Sequence, residues 1–114
     1  MKIENSKIQM RRGMLEFCIL ALLKERELYP SDLMKELSIA QLNIVEGTLY
    51  PLLTRLKNEG YLHYRWEESK SGPPRKYYTL TPLGQKFLAE LQQTWNEMIS
   101  AVNSITQSKQ PKNE

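Results

Sequence analysis

The chain has 114 residues, 40% of them hydrophobic and 25% charged, and a formal net charge of +3. That length suits one domain with a modest core, and the composition argues against a disordered segment or a disulfide scaffold, since Cys18 is alone. The mild positive charge permits a polyanionic partner without demanding one.

Residues 1 to 12 are polar and mixed in charge, and read as a frayed start. No apolar export segment follows Met1, and no uninterrupted apolar run is long enough to span a bilayer. The expectation is a cytoplasmic protein with no membrane partner. From Gly13 to Lys24 the chain is almost continuously apolar, broken only by Glu16. Leu and Ala dominate this run, which favours a buried helix over a strand. Cys18 lies within it and reads as a small buried hydrophobe.

Tyr29-Pro30 breaks that helix. Ser31 and Asp32 are then placed to cap a short second helix from Leu33 to about Leu37. Residues 40 to 45 form a connector. The third helix carries Leu49, Leu52, Leu53 and Leu56 at i, i+3, i+4 and i+7, one apolar stripe. Gly60 ends it, where a positive φ is often needed. Opposite the stripe lie Gly47, Pro51, Thr54 and Asn58, flanked by Thr48, Tyr50 and Arg55. Pro51 requires the regular helix to begin close to it.

The period then shifts. Residues 61 to 66 and 76 to 80 are aromatic-rich and read as two strands. The Gly, Pro and Ser content of residues 67 to 75 makes the link a loop, so the pair is a hairpin. Residues 69 to 80 hold Lys70, Arg75 and Lys76 and no acid. Thr81-Pro82 opens a long helix as cap and first residue. On it Leu88, Leu91, Trp95, Met98, Val102 and Ile105 advance in steps of 3, 4, 3, 4 and 3, a heptad seam. The residues after Gln107 are polar and expected to be mobile.

These elements imply a mainly α fold with a small β-hairpin: a winged helix-turn-helix followed by a long C-terminal dimerisation helix. The expected division is 1–80 for the DNA-binding domain, 81–107 for the dimerisation helix and 108–114 for a polar tail. The DNA major groove admits one helix, so the third helix can turn its polar face to base edges. A basic hairpin can lie on the adjacent phosphates. A homodimer joined through the seam would read a twofold-symmetric operator in double-stranded DNA.

The wording of the middle of the chain is more specific. Residues 47 to 56 (GTLYPLLTRL), 59 to 62 (EGYL), 72 to 81 (GPPRKYYTLT) and Gly84 resemble the PadR-like regulators, over roughly Gly13 to Leu91. The single C-terminal helix is similar to the smaller subclass of that family. The resemblance implies a homodimeric repressor. By position it makes Thr48, Tyr50, Pro51, Thr54 and Arg55 reading-helix residues, and Lys70, Ser71, Arg75 and Lys76 wing residues. Ser31 would lie near phosphate at the start of the second helix. The family often has Gly-Tyr before that helix, where this chain has Pro30-Ser31. In some small relatives a Trp of the C-terminal helix lines a cavity between subunits and stacks on flat aromatic molecules. Trp95 occupies the matching place, with Met14 and Met98 as adaptable walls.

Plainer readings stand beside these. Trp95 at a seam position also suits simple interface packing, and the wing cations also suit a solvated loop. His63 has no second His or nearby thiol to share a metal. There is no glycine-rich phosphate loop, ligand cluster or Ser/His/Asp set, so neither an enzyme nor a cofactor is expected. The rival function is a winged-helix module that grips a protein. It would show an apolar patch in place of the polar outer face of the third helix.

Overall fold

Leucine spacing decides how the helices pack. In a computed structural model, which describes residues 2–107, the chain runs α1 (Ile3–Arg11), α2 (Met14–Leu22), α3 (Pro30–Ile39), α4 (Glu46–Asn58), β1 (Leu62–Glu67), β2 (Arg75–Leu80) and α5 (Pro82–Thr106). The tail expected over 108–114 lies outside the described residues. Ile19, Leu20 and Leu23 meet Leu33 and Leu37 from α3 and Leu49, Leu53 and Leu56 from α4, all essentially without solvent exposure. These three helices form the body, with the hairpin closing one side. The chain is mainly helical, with one antiparallel hairpin and a long last helix.

Register divides the hairpin into two faces. Leu62 opposes Leu80, Tyr64 opposes Tyr78, and Trp66 opposes Lys76. On this face Leu62, Tyr78 and Leu80 are buried. His63 with Thr79, Arg65 with Tyr77, and Glu67 with Arg75 form the other face. Of the two adjacent tyrosines, Tyr78 is the core residue, as alternation requires. A third segment joins β2 from its free side. The Leu28 amide donates to the Tyr78 carbonyl at 3.2 Å, and the Tyr78 amide donates back at 2.9 Å. One bridged residue has no alternating pattern, so sequence periodicity gives no sign of it.

Several boundaries correct the sequence expectations. Residues 3 to 11 are helical rather than frayed. None of them is buried, so no core-facing periodicity marks them. Gly13, at φ +79, turns the chain between α1 and α2. The second helix of the sequence reading is α3, and it begins at Pro30. The proline that ends the preceding segment also occupies the first helical position, where its missing N–H costs nothing. The third helix of the sequence reading is α4, and it begins at Glu46, not beside Pro51. Pro51 therefore lies inside the helix and leaves the Gly47 carbonyl without its i+4 donor. The strands run one residue further into the loop at each side, through Glu67 and from Arg75.

The turn into α5 is fixed by a small polar knot. Thr81 caps the helix, its hydroxyl accepting from the Gly84 amide at 2.9 Å and donating to the Gly60 carbonyl at 2.6 Å. Gly60 follows α4 at φ +90. Tyr61 stacks on Phe87 with centroids 4.1 Å apart. Leu88 is buried, and Trp95 meets Phe17 of α2 with centroids 5.8 Å apart. Beyond Trp95, α5 leaves the body. Met98, Val102 and Ile105 are 53%, 52% and 76% exposed.

Gly84 is the tightest point of this junction. A Cβ there would land on the Tyr61 carbonyl and lie 2.9 Å from Leu80 Cδ1. The Tyr61 carbonyl is backbone and accepts the Thr81 amide at 3.0 Å, so it cannot withdraw cheaply. Gly84→Ala is expected to lower stability by about 3 kcal/mol, the upper range of overpacking costs. Thermal unfolding followed by circular dichroism measures this. An unchanged midpoint would contradict the packing described.

Candidate nucleic-acid interface

Three elements converge on one side of the molecule. α3 contributes its first turn. Tyr29 is the cap residue in extended conformation, and the Asp32 carboxylate accepts the Tyr29 amide at 3.0 Å. Asp32 thus supplies the acidic half of a capping box from the third helical position. This corrects the sequence expectation, which made Ser31 and Asp32 the caps. Ser31 is instead the second helical residue, and it is exposed. α4 contributes the face opposite its leucines. With Leu49, Leu53 and Leu56 buried, Thr48, Tyr50, Pro51 and Thr54 must point outward, and all four are exposed. The hairpin contributes the start of β2 and the end of β1.

Between them lies a cleft of about 470 Å³. Tyr29, Pro30 and Ser31 form one wall, Tyr50 and Thr54 another, and Trp66, Pro74, Arg75, Lys76 and Tyr78 the third. Five residues singled out from sequence therefore share one cleft: Ser31, Tyr50, Thr54, Arg75 and Lys76. Thr48 and Pro51 are exposed on the same helix but do not line it, and Lys70 and Ser71 are exposed in the loop between the strands. Arg55 is turned elsewhere. Its guanidinium pairs with Glu16 of α2 and lies 3.8 Å from Glu59.

The cations of the hairpin have different fates, even on one face: Arg65 and Arg75 share the outer face and Lys76 lies on the other. On the outer face Arg65 donates to Glu27 through Nε at 3.0 Å and Nη2 at 2.7 Å, and also pairs with Glu67. Those two hydrogen-bonded carboxylates raise the Arg65 pKa above its ordinary value, and the bond to Arg65 lowers that of Glu27. Arg65 is thus neutralised within the protein. Among the described residues no carboxylate forms an ion pair with Arg75 or Lys76. Aromatic rings hold these two cations. Lys76 Nζ lies 4.4 Å from the Tyr64 centroid and 5.4 Å from that of Trp66. The Arg75 guanidinium lies 5.1 Å from the Tyr29 centroid. Tyr29 stacks on Tyr77 with centroids 4.0 Å apart and planes 6° from parallel. Desolvation is the main cause that raises the Tyr29 phenol pKa. Ring contacts orient a cation without cancelling its charge, which keeps it available to an anion.

Tyr29, Trp66 and Pro74 are cleft residues that sequence reasoning missed. Tyr29 lies beside the hairpin next to the Leu28–Tyr78 bridge, a contact 50 residues apart in the numbering. Trp66 carries a better signal: a large ring at a strand end beside a basic loop. It is 60% exposed.

A second concavity, about 550 Å³, lies between α5 and the α1–α2 corner. Met10, Met14 and Phe17 face Leu91, Trp95, Met98, Ile99 and Val102 across it. It brings together Met14, Trp95 and Met98, the three residues suggested from sequence as an effector site. Cys18 is half-buried nearby on α2, and burial raises its thiol pKa.

A helix presented beside a basic hairpin, on a three-helix core, defines a winged-helix DNA-binding protein. Comparison with known proteins narrows this class. Residues 19–90 match the transcriptional regulator PadR-like family. A PadR-like transcription factor from Bacteroides fragilis is 56% identical and superposes with a TM-score of 0.76, over 90% of this chain and 99% of that one. A PadR family transcriptional regulator from Eggerthella lenta is 32% identical with a TM-score of 0.84, over 94% of each chain. A Lysinibacillus sphaericus protein is 34% identical over 90 residues, covering 76% of this chain and 83% of that protein. The chain belongs to the PadR-like family of transcriptional regulators. No helix among the described residues is long and apolar enough to cross a membrane.

The position of Arg55 generates a direct test. Arg55→Ala is expected to cost less than about 1 kcal/mol of stability, because the arginine of the pair it breaks is 48% exposed. DNA affinity and its salt dependence are expected to stay unchanged. Denaturant melts and binding isotherms at several salt concentrations check both. A fall in the salt slope by about one unit would put Arg55 on the DNA instead.

Proposed function

We propose that the chain acts as a homodimeric repressor that reads a twofold-symmetric operator and releases it when a planar aromatic molecule binds near the dimer seam. The observation that carries the DNA part is the shared cleft. Thr54 and Tyr50 on α4, Arg75 and Lys76 on the hairpin, and Ser31 at the start of α3 border one space. In this reading α4 enters the major groove and presents Thr48, Tyr50, Pro51 and Thr54 to base edges. Arg75 and Lys76 meet phosphates, with Lys70 and Ser71 extending that contact along the loop.

Dimerisation is supported by the far half of α5. Met98, Val102 and Ile105 continue the seam that Leu88 and Leu91 begin, yet the described residues leave them 53%, 52% and 76% exposed. Ile3, Ile8 and Met10 of α1 are exposed as well. A second copy would bury these residues and add the area that a small core lacks. The seam then belongs partly to its own chain and partly to the partner.

Effector binding is supported by the apolar groove that Trp95 shares with Met14 and Met98. A flat ring could stack on the indole there, and methionine walls adapt to shape. The groove adjoins the α5 surface assigned to the partner. A ligand that prefers one spacing of the two reading helices would shift operator affinity.

Two experiments test this reading. Arg75→Ala and Lys76→Ala are each expected to weaken operator and random DNA alike and to lower the salt slope by about one. Thr54→Ala should change sequence preference instead; unchanged affinity for Arg75→Ala would remove the wing from the interface. In a Trp66→Phe background, planar aromatic compounds are expected to quench Trp95 fluorescence saturably, near one ligand per dimer. Absence of quenching across a chemically broad panel would remove the effector and leave a DNA-binding dimer.

A further inference from the structure

Arg75 is the first residue of β2, next to a loop of Gly, Ser and Pro, where an arginine is ordinarily least restrained. Here it terminates a continuous run of contacts. Arg65 grips Glu27 with two hydrogen bonds, and its guanidinium lies 4.8 Å from the Tyr77 centroid. Tyr77 stacks on Tyr29, and Tyr29 carries Arg75. Backbone fixes both rings. Tyr77 is paired in β2, while Tyr29 lies between the Leu28 bridge and the Asp32 cap of α3.

Arg65 has a second effect. Glu67 is the cross-strand partner of Arg75, the position from which a carboxylate would normally take that cation. Arg65 pairs with Glu67 instead. Arg75 therefore keeps its charge, and the tyrosines set its direction, toward the cleft that Ser31 and Pro30 border. A free arginine loses its rotamer freedom when it binds phosphate. A stacked one has already lost it.

We infer that Tyr29 and Tyr77 are positioning residues for DNA binding: their stacked rings hold the Arg75 guanidinium at the start of α3, aimed at a backbone phosphate. This rests on the reading of Arg75 as a phosphate contact. Neither tyrosine needs to touch DNA itself.

The test is a double-mutant cycle on a labelled random-sequence duplex of about two helical turns, with affinity measured across a series of KCl concentrations. Tyr29→Leu is expected to weaken binding about tenfold, the scale of one charge-assisted contact, and to reduce the salt slope by about one. Tyr29→Phe keeps the ring and should stay within about twofold of the original. In an Arg75→Ala background, Tyr29→Leu should do nothing further. If Tyr29→Leu weakens binding equally with and without Arg75, the positioning role is wrong while the wing reading survives. If Arg75→Ala alone has no effect, both fall. Tyr77→Leu, run through the same cycle, decides the matter should Tyr29→Leu fail to fold in thermal melts.

Discussion

Complete burial of one leucine stripe on α4 is the constraint from which the rest follows. Leu49, Leu53 and Leu56 have almost no exposure, so the rotation of α4 about its own axis is not free. Turning the helix to expose one of these leucines would cost roughly 2 kcal/mol per side chain. The outward direction of Thr48, Tyr50, Pro51 and Thr54 is thus set from inside the protein. The same core receives Leu62, Tyr78 and Leu80 from the hairpin, which fixes the hairpin relative to α4. One core therefore holds the outer face of α4 and the basic edge of the hairpin in a constant relation.

Charge is distributed over that frame unevenly. Arg55 and Arg65 are paired with carboxylates and act within the protein. Arg26 likewise meets Glu36, at 3.1 Å. Arg75 and Lys76 face aromatic rings instead. The net charge of +3 is an average over the chain. At the cleft a polyanion would meet Arg75 and Lys76, which have no carboxylate ion pair among the described residues.

Much of this was legible in the sequence because it rests on local spacing. The α4 stripe, the hairpin, the Thr81-Pro82 start of α5 and the seam residues all follow from intervals of two, three or four. Of the cleft residues, Tyr50, Thr54, Arg75 and Lys76 were legible through the reading-helix and wing wording, and Ser31 through its place at the start of a helix. What periodicity does not carry is contact between distant segments. The Leu28–Tyr78 bridge is one pair of residues, and Tyr29 follows it directly, beside Tyr77. Arg55 looked like a reading-helix residue because it flanks the outer face, but a carboxylate on α2 takes it. α1 leaves no core-facing pattern because none of its residues is buried among the described residues, and Pro30 marks both a break and the first position of α3, which spacing alone does not separate.

In the proposed homodimer two copies of this surface, held at a fixed separation, would read DNA together. Selection of bound duplexes from a random-sequence pool, using the purified full chain, tests it most directly. The expected result is an enriched motif with twofold symmetry, its half-sites about one helical turn apart, roughly 34–36 Å. Recovery of no motif, or of a single unsymmetrical site bound by a monomer, would contradict it.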